Sequence, residues 1–186
     1  MNHLSPLLLG MLALGCAQAA EFTTVLPERS SIAFTSRQMG VPVEGRFKRF
    51  TASLAFDPAR PEAGRTSVEI DLASIDAGST EANDEVAGKP WFNLKSFPTA
   101  RFQSSGVKAL GGGRFEVRGQ MNIKGRSREV VVPFSFREEG KQGVFEGSFP
   151  LNRLDYALGE GPWADTGTVA GEVLINVRLL AAPAKP

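Results

Sequence analysis

Asp155, Glu160 and Asp165 fall within the long irregular segment after Arg153, and their type and spacing could carry acid–base chemistry. Neighbouring carboxylates can divide the roles of acid and base when their environments pull their proton affinities apart. Loop acids beside an aromatic such as Trp163 have a plainer use as solvated or turn-capping groups. Asp84 and Glu85 form a second acidic pair, but adjacent helix positions point about 100° apart, so helix-start electrostatics explains them better than shared catalysis. The single histidine is His3 and the single cysteine is Cys16. Beyond residue 20 the chain therefore has no imidazole to serve as base or metal ligand and no thiol nucleophile. A binding protein is expected rather than an enzyme, with no metal and no cofactor.

Two further patterns invite a chemical reading and have a simpler one. Gly111-Gly112-Gly113 lacks the following Gly-Lys-Ser/Thr of a phosphate loop and reads as a hairpin turn. Arg46-Phe47-Lys48-Arg49-Phe50 interleaves basic and aromatic residues as an RNA-binding stripe would. Yet 21 Lys and Arg against 20 Asp and Glu leave the chain near neutrality, so no nucleic-acid partner and no electrostatic capture by anionic membranes is expected. The segment reads as a strand with its charged face in water.

Leu7 to Gly15 is an apolar run of signal-peptide length, too short to span a bilayer, and Ala17-Gln18-Ala19 supplies the small-x-small pattern of a cleavage site. Residues 1–20 are expected to be a signal peptide and residues 21–182 the functional domain. Two alternatives stay open: Ala13-Leu14-Gly15-Cys16 partly resembles a lipobox, without its usual leucine, and the run could instead be a buried N-terminal strand or helix. The remaining chain, roughly 165 residues, is enough for one domain burying roughly 70% of its unfolded surface. Export permits disulfides, but the mature chain has no cysteine to make them, so stability rests on the core.

That core is written in period two. Phe115, Val117, Gly119, Met121 and Ile123 alternate with Glu116, Arg118, Gln120 and Asn122, the pattern of a strand with one wet face. Val130 to Phe136, Val169 to Leu179, Val68 to Leu72, Ile32 with Phe34, and Phe145 to Leu151 repeat it. Such alternation belongs to antiparallel sheets. Asp57-Pro58 with Pro61 and Gly64, the triple glycine, and Glu139-Gly140-Lys141 mark turns. Phe47 lies out of phase with Phe50, Ala52, Leu54 and Phe56, which a β-bulge near Lys48-Arg49 would correct. Only Thr80 to Ala87 breaks the rhythm, as a short helix starting from an N-cap at Thr80, and Trp91-Phe92 and Phe97-Pro98 after it form an aromatic plug.

An all-β domain with so many strands must hide its edges. The expected fold is a closed antiparallel lipocalin-like β-barrel of about eight strands with one short helix, a two-sheet sandwich being the alternative. Gly119, Gly147 and Gly171, in the interior phase of their strands, would permit the coiling that closure requires.

The segment Arg29-Ser30-Ser31-Ile32-Ala33-Phe34, then Met39-Gly40, Gly45-Arg46-Phe47, Phe50 and Phe56-Asp57-Pro58, resembles the opening of the YceI-like family of exported proteins. The likeness runs on through Val68-Glu69-Ile70-Asp71, Ser74-Ile75-Asp76, Trp91-Phe92, Phe97-Pro98-Thr99-Ala100-Arg101-Phe102 and Gly119 to Gly125. The resemblance implies a lipocalin-like barrel in the periplasm whose cavity holds an isoprenoid lipid, a quinone or a polyprenyl chain, with no catalytic motif. Many members carry histidine where this chain has Arg29 and near Gln38, so these two are candidate polar substitutes toward a head group. The Trp91-Phe92 form resembles the branch associated with membrane b-type cytochromes, which implies such a cytochrome as a partner. Barrels of this kind can also pair as homodimers.

Thirteen Phe against one Tyr suit the wall of a hydrocarbon tunnel, because their rings carry no hydroxyl in need of a partner. The inner wall is expected to comprise Phe34, Phe47, Phe56, Ile70, Phe102, Phe115, Met121, Phe134, Phe136, Phe149 and Val173, with Trp91 and Phe92 gating one end. The strand pattern itself leaves filled and hollow barrels equally open. Three function classes follow: an exported isoprenoid carrier; an interaction module docking on a membrane partner, through an apolar patch near Trp163; and a carboxylate enzyme using Asp155, Glu160 and Asp165.

Overall fold

The computed structural model describes residues 20–185. The expected leader, with His3 and Cys16, lies outside them. Within them run eleven strands: β1 (Phe22–Val25), β2 (Ser31–Gln38), β3 (Val41–Phe47), β4 (Phe50–Ala55), β5 (Arg65–Asp71), β6 (Ile75–Asp76), β7 (Thr99–Gly111), β8 (Arg114–Ile123), β9 (Arg126–Glu139), β10 (Gln142–Asn152) and β11 (Glu172–Pro183). Alternation explains them. In β8, Phe115, Val117, Met121 and Ile123 are buried while Arg118 and Gln120 are exposed.

The strands form one antiparallel sheet in the order β4-β5-β7-β8-β9-β10-β11-β2-β3-β6, with β1 on β11. This single sheet rules out the two-sheet sandwich. It also corrects the expected closed barrel of about eight strands to a curled, lipocalin-like half-barrel of eleven. The physical reason lies in broken staves. β3 gives way to β4 at Lys48-Arg49, where the sequence alternation slips, and β5 to β6 at the 3-10 turn Leu72–Ser74; another 3-10 turn, Pro27–Arg29, separates β1 from β2. Each break divides what would be one long strand, and pairing lapses beside it.

Turns sit where expected. After β4 the Asp57 carboxylate accepts from Ala59 N at 2.9 Å and from Arg60 Nε at 2.9 Å, which holds its pKa below the ordinary value, the Ala59 amide contributing most. Gly119 occupies a spot where a Cβ would come within 2.6 Å of the Phe102 ring, so close strand approach, not a special dihedral, demands glycine there. Gly171 lies just before β11 rather than within it.

The one helix, α1 (Thr80–Ala87), is capped by Ser79, whose hydroxyl accepts from Ala82 N at 3.1 Å. The expected cap at Thr80 is thus one residue late: Ser79 is extended, with φ −150°, and Thr80 already helical. The chain then folds back under α1, with Phe92 N and Leu94 N donating to Val86 O and Ala87 O, which sets Trp91, Phe92 and Leu94 against the sheet.

Two apolar clusters divide the interior. A lower one joins Leu72, Phe102, Met121, Phe149, Leu151 and Tyr156 to the Trp91-Phe92-Leu94 plug. An upper one gathers Phe22, Phe56, Phe115, Phe145 and Leu179, with Phe134 and Phe136 packed on it. Phe56 is its hub, lying 5.2 to 6.0 Å from the rings of Phe115, Phe134, Phe136 and Phe145.

Candidate functional site: an apolar cavity inside the sheet

Between the two clusters lies a cavity of about 130 Å³. Its wall takes one or more residues from each of eight strands: Ile32 of β2; Leu54 of β4; Val68 and Ile70 of β5; Phe102 and Val107 of β7; Val117 and Met121 of β8; Val132 and Phe134 of β9; Phe145 and Phe149 of β10; Ile175, Val177 and Leu179 of β11. Phe56, just past β4, completes it. Most are inward-facing alternates of their strands. Val107 joins Phe102 on the same face because the β7–β8 register shifts between Ser104 and Gly106, reversing the phase. Polar side chains reach the wall only at Arg65 and Thr66. Arg65 there donates to Gly64 O at 2.7 Å and Glu62 O at 3.3 Å, and Thr66 Oγ1 to Ser53 O at 3.0 Å.

Of the residues expected on the wall, Phe56, Ile70, Phe102, Met121, Phe134 and Phe149 line this cavity. The others stand outside it. Phe34 packs on Phe47 with ring centroids 5.7 Å apart, and Phe47 meets Phe92 at 6.4 Å, all toward the plug. Phe115 and Phe136 pack behind Phe56, and Val173 sits opposite Leu151 near the start of β11. Trp91 and Phe92 are half-buried in the lower cluster. Alternation assigns a face but not a height, and the side chains at the two ends of the sheet fill it themselves. Ile32, Leu54, Val68, Val107, Val117, Val132, Phe145, Ile175, Val177 and Leu179 join them on the wall beyond the expected set; most share the same alternating phase, and phase alone does not separate a wall aliphatic from a packed one.

The candidate polar substitutes are elsewhere. Arg29 Nη1 donates to Gln142 Oε1 at 2.5 Å on the surface, and Gln38 bridges to Val169 at the far end of β2, so neither reaches the cavity.

Below the cavity a charged residue organises the long segment between β10 and β11. Arg153 is 2% exposed and donates to the carbonyls of Leu158, Gly159, Trp163, Val169 and Ala170, with no carboxylate partner. Burial lowers its pKa from the ordinary value. Trp163, expected as an exposed docking clue, is half-buried against Trp91, ring centroids 5.9 Å apart. Trp91 Nε1 and Tyr156 Oη are buried without a hydrogen-bond partner among the described residues.

The three loop acids have local tasks. Asp165 accepts from Thr168 Oγ1 at 2.8 Å and from the amides of Gly167 and Thr168, and Glu160 accepts from Lys124 Nζ at 2.8 Å. These bonds lower both pKa values, the Thr168 hydroxyl contributing most at Asp165 and Lys124 most at Glu160. Asp155 lies exposed beside Tyr156. Among the described residues no three His, Cys, Asp or Glu side chains gather as a metal site requires. What the arrangement offers is a hydrocarbon-lined space.

Known proteins share this architecture. BcnA of Burkholderia cenocepacia superposes with TM-score 0.83 at 41% identity, over 85% of this chain and 99% of that one. A Saccharophagus degradans structure described as a polyisoprenoid binding domain superposes with TM-score 0.66 at 15% identity, over 89% and 99%. A UPF0312 protein of Azotobacter vinelandii is 31% identical over 180 residues, 91% of this chain and 92% of its own length. The YceI-like domain model matches residues 24–181, a span that takes in the whole cavity wall and the plug beneath it, and the chain therefore belongs to the YceI-like family.

Proposed function

We propose that this protein is an exported carrier that holds an isoprenoid lipid, a quinone or a polyprenyl chain, in its internal cavity. The observation that carries this reading is the almost wholly apolar wall. At about 24 cal/mol per Å³, leaving about 130 Å³ of apolar space unfilled costs about 3 kcal/mol, which a hydrocarbon occupant offsets. Each buried CH₂ adds about 0.8 kcal/mol without needing a polar contact. The polyisoprenoid binding domain described for the Saccharophagus degradans neighbour supports the same class of occupant.

Size adds a constraint. An apolar cavity of about 150 Å³ holds one benzene, so this one holds about one five-carbon isoprene unit as it stands. A longer chain requires the wall to widen, and Phe56, Phe102 and Phe134 are the bulky side chains whose rotation would do so.

The test is native mass spectrometry of protein purified from its own host, with organic extraction of whatever is bound. An isoprenoid at one per chain is expected. Protein that emerges without lipid, and takes up neither quinones nor polyprenols when offered them, overturns the proposal.

A further inference from the structure

Two kinked staves lie side by side in the sheet and part in the middle. One is β1 followed by β2, broken at Pro27–Arg29; the other is β3 followed by β4, broken at Lys48-Arg49. Below the breaks, β2 and β3 are fully laddered, ending at Ile32 opposite Phe47. Above them, Phe22 and Phe56 exchange both backbone hydrogen bonds, at 2.8 and 3.1 Å. Between these fastenings β4 pairs only with β5.

Strand geometry says which groups face the opening. Since Phe56 turns its N–H and C=O toward β1, Leu54, Ala52 and Phe50 of the same extended strand turn theirs the same way. Among the described residues no backbone group of β1 or of Pro27–Arg29 bonds to them. The slot is stoppered instead by side chains: Val25 from one stave, Phe50 and Leu54 from the other, each only partly buried. Both banks lead to the cavity, whose wall includes Leu54, Ala55 and Phe56 on one side and Ile32, Val177 and Leu179 on the other. Outside, Pro27, Lys48, Arg49, Phe50 and Thr51 line a surface depression at the same place.

We propose that this slot between β1 and β4, latched by the Phe22–Phe56 pair, is the lateral portal through which an apolar chain enters and leaves the cavity. The inference rests on the isoprenoid reading for the occupant but not for the opening. Parting β8 from β9 would break ten registered pairs, whereas parting the slot breaks one bridge. A long chain can be laid in sideways through such a seam, without threading past the Trp91-Phe92 plug. Phe56 is both latch and cavity wall, so an occupant that displaces its ring loosens the seam.

Because Cys16 is the only cysteine and lies in the expected leader, paired cysteines can be introduced into the mature chain cleanly. Thr23 and Ala55 are next to the isolated Phe22–Phe56 bridge, and antiparallel continuation of that bridge would set their Cα atoms about 4.5–5.5 Å apart, within disulfide range. The oxidised Thr23→Cys/Ala55→Cys variant is expected to take up and release tritiated geranylgeraniol at least about tenfold more slowly than the same variant reduced, so that the wall substitution at Ala55 is common to both arms. A control disulfide in the intact ladder, Thr35→Cys/Glu44→Cys, should leave both rates alone. Hydrogen exchange on the unmodified protein gives a reading independent of ligand: the Phe22 and Phe56 amides should exchange at least about a hundredfold faster than those of β8 and β9. Amides equally protected, or an oxidised pair that loads at the rate of the reduced pair, overturn the portal. Unmodified protein that binds no geranylgeraniol overturns the isoprenoid reading, and exchange alone then decides the portal.

Discussion

Arg153 lies over the face of Trp91, its guanidinium carbon 5.4 Å from the ring centroid, while all three of its nitrogens donate to backbone carbonyls. A buried cation is normally matched by a carboxylate; here five carbonyl dipoles and an aromatic face stand in for one. The arginine thereby gives the segment between β10 and β11 a hydrogen-bonded core of its own and clamps it over the plug.

Removing that clamp leaves several carbonyls without donors. Arg153→Ala is expected to destabilise the protein by about 3 kcal/mol or more, and Arg153→Lys, with three donors and no planar fork, by about 2 kcal/mol. Urea unfolding measures both; a loss below about 1 kcal/mol for alanine would mean that the segment holds itself.

Tyr156 is the only tyrosine, and burial first, then the charge of Asp155, pushes its pKa from 10.0 to about 12. Absorbance at 295 nm therefore reports this one phenol. Because the folded value is the higher, its contribution is complete below pH 10 and is lost as pH climbs from 10 toward 12, by about 3 kcal/mol in all. Tyr156→Phe should flatten that alkaline limb. Since the hydroxyl has no hydrogen-bond partner among the described residues, the same change should leave neutral-pH stability equal or raise it by up to about 2 kcal/mol. A clear loss at pH 7 would show that the hydroxyl is bonded in solution.

Volume changes on the wall should separate binding from folding. Val117→Phe places a ring in existing space, so bound lipid should fall at least about tenfold while stability moves by less than about 1.5 kcal/mol. Phe134→Ala enlarges the space at a cost of about 3–5 kcal/mol and should retain lipid. Lipid extraction beside urea unfolding reads both, and unchanged lipid in Val117→Phe would place the ligand elsewhere.

Export has its own outcome. In a bacterial host the mature protein is expected in the periplasmic fraction, beginning at Ala20 or Glu21 by intact mass. Retention of residues 1–19, or incorporation of labelled palmitate abolished by Cys16→Ser, would replace cleavage after Ala19 or Ala20 with another fate.

Period two revealed the strands, because alternation reports directly which face a residue occupies; the phase slip at Lys48-Arg49 marked an irregularity, but what suggests a bulge in the sequence is a break between β3 and β4 in the structure. The turns were legible too, since proline, glycine and aspartate have local conformational reasons to be there. The cavity wall was half legible. Phe56, Phe102 and Phe149 were placed correctly by phase, whereas Phe34 and Phe136 share an inward phase but lie at the wrong height. The aliphatic wall from β11 is not legible in the sequence, because a buried valine looks the same in a packed core as beside a void.

By itself, then, the chain's order of residues determined an antiparallel all-β domain, the family it belongs to, and, beyond residue 20, the lack of any imidazole or thiol. Those properties follow from local pattern and residue type. Tertiary structure alone decided how far the sheet curls, where two phenylalanines fasten it, and that space remains between the upper and lower clusters. Each depends on which distant side chains meet, Phe22 with Phe56 or Arg153 with the carbonyls of Val169 and Ala170, and no spacing along the chain records such a meeting.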